Sequence, residues 1–188
     1  LLASSAASDV YKRQALPMLV AQILSLLYNI VDRIYIARIP SVGTTALGAV
    51  GLCFPIIVII TAFSNLFGSG GAPLFSINRG KGNIKKAEVI MNTSFSMLCI
   101  CGVALMVIGM LFASPILVLF GASEEGLSYA YPYMMIYLIG IVPSMIATGM
   151  NPFINAQGYA TSGMLSVTIG AVANLILDLS LIHISEPT

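Results

Sequence analysis

Long apolar runs alternate with short polar breaks along this chain, and the lengths of those runs predict its architecture. A helix needs roughly 20 apolar residues to cross about 30 Å of hydrocarbon. Five runs meet that requirement. The first extends from about Leu16 to Ile39, and the second from near Thr45 to about Ile77. The second is longer than one span requires. Its distal FGSGGAP segment, Phe67 to Pro73, predicts a kink or break, because clustered glycines and Pro73 weaken a helix there. The third runs from about Val89 to Phe112 and is closed by Ser114–Pro115. The fourth runs from about Tyr129 to Ala156, with kinks expected at Pro143 and Pro152, and the fifth begins near Ser162. The pattern predicts an all-α membrane protein with five transmembrane helices.

Composition agrees with lipid as the main solvent. The chain is 58% hydrophobic and only 8% charged, whereas a soluble domain is about 25% charged. A net charge of +1 gives no concentrated basic patch for nucleic acid. Cys53 lies in one apolar run, and Cys99 and Cys101 share another. Residues two apart on a helix point to different faces, so these two do not pair, and no CxxC spacing suggests a metal. All three read as small packing residues.

Both ends depart from this pattern. SSAASDVYKRQ (Ser4 to Gln14) and LSLIHISEPT (Leu179 to Thr188) resemble translated sequencing-adapter scars. Residues 1–14 and 179–188 are therefore expected to be non-native tails around a native body at 15–178. Setting them aside removes His183, the one histidine, and with it any histidine chemistry. It also implies a natural protein that continues past Asp178.

Charge in the connections predicts orientation. The loop NRGKGNIKKAE after the second run holds Arg79, Lys81, Lys85 and Lys86, while the next loop holds Glu124 and Glu125 and no base. Basic loops stay in the cytoplasm, so the N-terminus is expected inside. Arg38 falls at the external end of the first span, but one arginine does not outweigh four bases in one loop. The basic loop reads as a topological signal and not as a ligand site.

The polar residues within the runs carry the chemistry. Asp32 and Asp178 are carboxylates inside apolar helices, where a charge costs about 2.5–3.5 kcal/mol on insertion scales. Ser162, Ser166, Gly170, Asn174 and Asp178 recur every fourth residue, and Gln22, Ser25, Asn29 and Asp32 follow steps of three and four. Each set forms a stripe along one helix face. Such stripes let helices approach closely and share hydrogen bonds away from lipid. Asn174 and Asp178, one turn apart, offer two oxygens to one cation, and Asp32 offers a third. Hard cations favour such oxygens, and the same carboxylates also hold a proton. The bland reading, helix-to-helix glue, suits Asn29 better than it suits the Asp32, Asn174 and Asp178 set.

Four strings carry a family resemblance. LLYNIVDRIYIAR, NRGKGNIKKAE, NPFINAQGYAT and GAVANLILD, in this order, resemble the multidrug and toxin extrusion (MATE) transporters, chiefly their bacterial branch. The resemblance covers about Ala15 to Asp178. It implies twelve membrane helices in two six-helix lobes, of which this chain holds five helices of the N-terminal lobe and lacks the C-terminal lobe. It implies a bacterial inner-membrane exporter that moves organic cations or drugs against entering Na⁺ or H⁺, with no other cofactor. In that family a first-helix aspartate and a fifth-helix Asn-xxx-Asp pair form the cation site, matching Asp32, Asn174 and Asp178. A fourth-helix polar residue joins them, for which Asn151 and Asn155 are both candidates. Gln22 and Asn29 are further candidate polar residues of the cavity or ion site.

The other signals are weaker. FGSGGAP lacks the lysine of a phosphate-binding loop, so close helix approach is its better reading. Tyr129, Tyr131, Tyr133 and Tyr137 fit an interfacial aromatic belt, or less simply a surface for stacking on cationic drugs. The ten methionines suit either an adaptable cavity or lipid-facing packing. Lipid-linked oligosaccharide flippases share the broad architecture but are expected to line their cavity with bases, which the runs mostly lack. An intramembrane aspartyl protease, the alternative from another class, needs Tyr-Asp and Gly-x-Gly-Asp strings. Here Val31 precedes Asp32 and Leu177 precedes Asp178, so both are missing.

The loop charges generate one prediction. A cysteine introduced beside Lys85 is expected to resist impermeant thiol reagents in intact cells and to react after the membrane is opened. Labelling in intact cells would reverse the assigned orientation.

Overall fold

The computed structural model describes the backbone of residues 2–37 and 43–185; the side chains of residues 2–14, 17, 28, 35, 174, 175 and 177–185 lie outside the description. The described backbone forms six α-helices: α1 (Leu2–Ala37), α2 (Gly43–Gly80), α3 (Ile84–Leu119), α4 (Glu124–Ile139), α5 (Ile141–Ala156) and α6 (Ala160–Ser185). They divide into two units. One comprises Ile36–Ala156, hence α2 to α5; the other comprises Leu1–Tyr35 and Gln157–Thr188, hence most of α1 and all of α6.

Within the α2–α5 unit, glycine sets both turns. Gly82 has φ 75°. Its amide bonds to the Arg79 carbonyl at 3.0 Å, and the Asn83 amide bonds to Asn78 at 2.9 Å. This is the paired hydrogen-bond closure that a left-handed residue after a helix permits. The end of α3 repeats it, with Gly121 at φ 93°, Gly121 bonded to Val118 at 2.9 Å and Ala122 to Leu117 at 3.0 Å. Side chains then start the next helices. The Asn83 oxygen accepts from the Lys86 amide at 3.2 Å, and the Ser123 hydroxyl accepts from the Gly126 amide at 3.0 Å.

Proline behaves differently from the sequence expectation. α2 runs unbroken through Phe67–Pro73 and carries Pro55 and Pro73 in its interior. α3 continues past Ser114–Pro115 to Leu119. The reason lies in packing: Ala72 and Phe75 flank Pro73 and are buried, as are Ala113 and Leu117 around Pro115. Close packing around each proline holds the helix continuous there. Pro152 likewise lies inside α5 without ending it. The break falls instead at Gly140, where α4 and α5 meet at 57°. Pro143 has no N–H to offer the Ile139 carbonyl and its ring clashes with that carbonyl. Restarting at Ile141 places Pro143 in the first turn of α5, where no intrahelical donor is needed. Gly140 serves both helices: its amide bonds to Tyr137 and its carbonyl accepts from Ser144, each at 3.1 Å.

The core sits among α2, α3, α4 and α5. Cys53, Leu98, Leu117, Met134, Leu138, Ile141 and Met145 form its main cluster. Ala72, Phe75, Ala87 and Phe153 form a second cluster, in which the Phe75 and Phe153 rings meet edge-on with centroids 5.7 Å apart. Cys53, Cys99 and Cys101 are free thiols, as their spacing predicts. Tyr133 and Tyr137 pack on the main cluster, while Tyr129 and Tyr131 are exposed. The tyrosines therefore divide between the core and the outer surface.

The outer surface is apolar. Leu111, Leu119 and Ile136 are each more than two-thirds exposed, as expected where lipid is the solvent. Among the described residues, α2 and α3 are long and apolar enough to cross a membrane, and the bent α4–α5 pair makes a third span if counted as one. The described apolar part of α6, Ala160–Ala173, is shorter. These three match the second, third and fourth expected spans; the first and fifth include residues outside the description.

The glycine-rich segment of α2 serves close approach. A Cβ on Gly68 would lie 2.5 Å from the Gly149 carbonyl oxygen and 2.9 Å from its Cα. A Cβ on Gly71 would lie 2.5 Å from the Ser94 Oγ and 2.7 Å from the Phe153 ring. Gly68→Ala is therefore expected to force the α2 and α5 backbones apart, costing about 1–3 kcal/mol. Gly70→Ala, where nothing lies within 4 Å, should be neutral or slightly stabilising. Thermal unfolding in detergent compares the two; equal midpoints would remove this contact as a constraint.

Candidate ion-binding site

An apolar helix can hold a polar side chain only if a hydrogen bond, an ion or water offsets its desolvation. Asp32 sits on α1, half-buried, between the apolar neighbours Ile30 and Ile34 on either side of Val31 and Arg33. Asn174 and Asp178 lie on α6 one helical turn apart, and their side chains are outside the described residues. The expected convergence of Asp32 with Asn174 and Asp178 falls there too, so it stays an expectation.

Gln22 and Asn29 are exposed on α1. The Asn29 amide donates to the Ser25 carbonyl of its own helix at 2.7 Å, which satisfies that donor locally. That bond stays within one helix, so it is not a helix-to-helix link.

On α5, in the other unit, Asn151 and Asn155 are both half-buried. The structure brings these two candidates together, because residues four apart share a helix face. The Asn155 Nδ2 donates to the Asn151 Oδ1 at 3.0 Å. The Asn155 Oδ1 is buried and has no hydrogen-bond partner. A buried acceptor left unmade costs about 1–3 kcal/mol. Such an oxygen is suited to a donor or to a hard cation. The sequence could not distinguish Asn151 from Asn155; their geometry makes them one unit with different duties, Asn151 accepting and Asn155 carrying the open oxygen.

Two buried polar side chains were not singled out by sequence, Ser64 on α2 and Ser94 on α3. Ser64 donates to the Ile60 carbonyl of its own helix at 3.2 Å, and Ser94 faces Gly71. Both are small residues at helix contacts, and no spacing in the sequence marks them.

Comparison with known proteins gives consistent results. The family model described as MatE matches residues 17–179. The FAD transporter of Shewanella oneidensis is 28% identical over 177 residues, covering 94% of this chain and 38% of that protein. The multidrug export protein MepA of Staphylococcus haemolyticus is 27% identical over 174 residues, covering 91% of this chain and 38% of that relative. A crystal structure of MATE in complex with MaD3S superposes with a TM-score of 0.84 at 24% identity, over 90% of this chain and 37% of that one. An outward-facing multidrug resistance MATE family transporter of the MOP superfamily superposes at 0.82, also at 24% identity and with the same coverage. These structures establish the fold. The chain spans less than two-fifths of the length of the relatives it matches.

The asparagine pair predicts an order of stabilities. Asn151→Ala strands both polar atoms of Asn155, whereas Asn155→Ala also removes the unpaired oxygen. Asn151→Ala is therefore expected to be the more destabilising, by about 1 kcal/mol or more, in thermal unfolding without added substrate. The reverse order would show that the pair is not organised as described.

Proposed function

The chain belongs to the MatE family, and from that premise we propose that it forms part of the N-terminal lobe of a secondary active multidrug exporter. In this reading the whole protein moves small organic substrates, chiefly cations, out of the cell while Na⁺ or H⁺ enters. It lies in a bacterial inner membrane with its N-terminus in the cytoplasm. The relatives are named as a transporter and export proteins, which supports transport over catalysis.

The half-buried Asp32 carboxylate on apolar α1 is the observation that carries the coupling assignment. A carboxylate in such a place is suited to take up an ion or proton, whose arrival would change the charge of the helix. Asn174 and Asp178, in i and i+4 register on α6, would complete the site. Coupling requires ion and drug to prefer different conformations, since equal affinity for both shifts nothing. Small and polar residues along α1 and α6 would let those helices repack at little steric cost.

A second reading follows from the FAD transporter, an anionic dinucleotide being its named cargo. Against it, residues 43–156 contain no lysine or arginine outside the turn from Arg79 to Lys86. Walls without bases suit a cation better than a diphosphate. The same lack argues against a lipid-linked oligosaccharide as cargo.

The test uses the full-length protein in proteoliposomes. Asp32→Asn keeps the shape and removes the titratable charge. Gradient-driven export of an organic cation such as ethidium is expected to fall to background under Na⁺ or H⁺ gradients, with membrane insertion intact. Asp178→Asn should do the same, and Asn174→Ala should weaken the ion dependence with a smaller loss. Wild-type export by Asp32→Asn would make the carboxylate structural. Export of FAD in place of ethidium would select the second reading.

A further inference from the structure

The turn between α2 and α3 holds a cluster of charge that the export mechanism does not use. Arg79, Lys81, Lys85 and Lys86 lie within eight residues there, and all four are exposed. Glu88 is the single carboxylate in this segment. None of the four bases has a carboxylate within ion-pair distance among the described residues.

Local electrostatics oppose this arrangement. Lys85 and Lys86 occupy the first turn of α3, which has no acidic residue. The partial positive charge of a helix N-terminus repels cations placed there. α4 shows the opposite case, with Glu124 and Glu125 in its first turn. Each exposed lysine placed against the helix dipole is disfavoured by about 0.3–1 kcal/mol, a repulsion that a bound anion would offset.

The position of the turn indicates which anion. α2 carries no charged residue before Arg79, and α3 carries none after Glu88. The first charges on both helices therefore appear at the shared end of two apolar runs, each long enough to cross the hydrocarbon. The Arg79 guanidinium lies 5.9 Å from the centroid of the Phe75 ring, and Phe75 is buried in the second core cluster. That contact holds one cation at the edge of the packed core.

We propose that this turn is a docking surface for anionic membrane lipids, with Arg79, Lys81, Lys85 and Lys86 receiving headgroup phosphates. Lysine supplies point charge and the Arg79 fork supplies directed donors to phosphate oxygens. The turn then does more than set orientation: bound lipid neutralises the α2–α3 end and ties the hairpin to the bilayer surface. This goes beyond the transport reading and does not depend on the coupling site.

The experiment measures retention of phosphatidylglycerol and phosphatidylcholine by the purified full-length protein, by native mass spectrometry. Each basic residue near an anionic surface contributes about a fivefold preference. With all four bases contributing, phosphatidylglycerol is expected to be retained about 600-fold more tightly than phosphatidylcholine. Lys85→Gln with Lys86→Gln should lower that preference about 25-fold, and Lys85→Arg with Lys86→Arg should preserve it. Lys81→Gln, an exposed change outside both helices, provides a variant that folds readily and should cost about fivefold. Equal retention of the two lipids, or unchanged preference in the glutamine variants, would overturn the proposal. Displacement of the lipid by millimolar inorganic phosphate would also overturn it, by showing a free-anion site. Transport activity is not part of the readout, so a failed exporter assignment would leave this result interpretable.

Discussion

The backbones of α2 and α5 meet at Gly68 and Gly149, and the arrangement of the four-helix unit depends on that contact. Helices in lipid gain little from hiding apolar surface, because the lipid tails are equally apolar. What remains is close van der Waals contact, and it is closest where no Cβ intervenes. The virtual Cβ of Gly68 falls on the Gly149 backbone, and that of Gly149 falls 2.6 Å from Leu98 on α3. Three helices are thus locked at one level. The Phe75–Phe153 pair then fills the space one to two turns beyond. The exposed apolar residues outside this unit are consistent with a core held by contact and not by exclusion of water.

A second constraint shapes the fourth span. In hydrocarbon each backbone donor and acceptor must find a partner, so helix breaks are expensive unless the freed groups are satisfied. Among the described residues, the interior prolines Pro55, Pro73, Pro115, Pro132 and Pro152 are absorbed without a break. Pro143 alone coincides with one, since Gly140 immediately upstream can cap α4 and start α5 at once. The result is a 57° bend within an apolar run. It leaves α5 as a separate segment whose face carries Asn151 and Asn155.

That segment bears on how transport chemistry could be built. The polar groups on α5 include the Asn155–Asn151 hydrogen bond and the open Asn155 oxygen. Asp32 stands on α1, in a unit with α6, where the Asn174 and Asp178 register lies. The candidate polar residues thus fall in both units, Asp32 in one and Asn151 and Asn155 in the other. Carboxylates respond to ion or proton arrival by a change of charge, while carboxamides contribute oxygen without titrating.

Much of this was legible in the linear sequence, for reasons that are local. Apolar run lengths reflect bilayer thickness, so the helices and their order could be read without tertiary information. Gly82 and Gly121 mark turns because only a residue without a Cβ adopts positive φ cheaply. The loop charges and the spacing of Asp32, Asn174 and Asp178 are also properties of the chain alone. Tertiary packing decided the rest. Pro73 and Pro115 read as breakers, but the burial of their neighbours kept α2 and α3 whole. Tyr133 and Tyr137 read as interfacial, but the α4 face they share turned them onto the core. Asn151 and Asn155 were indistinguishable by type and spacing; only the direction of their hydrogen bond assigns the open oxygen to Asn155. A helix contact joins residues far apart in sequence, and its energy appears only once both surfaces exist.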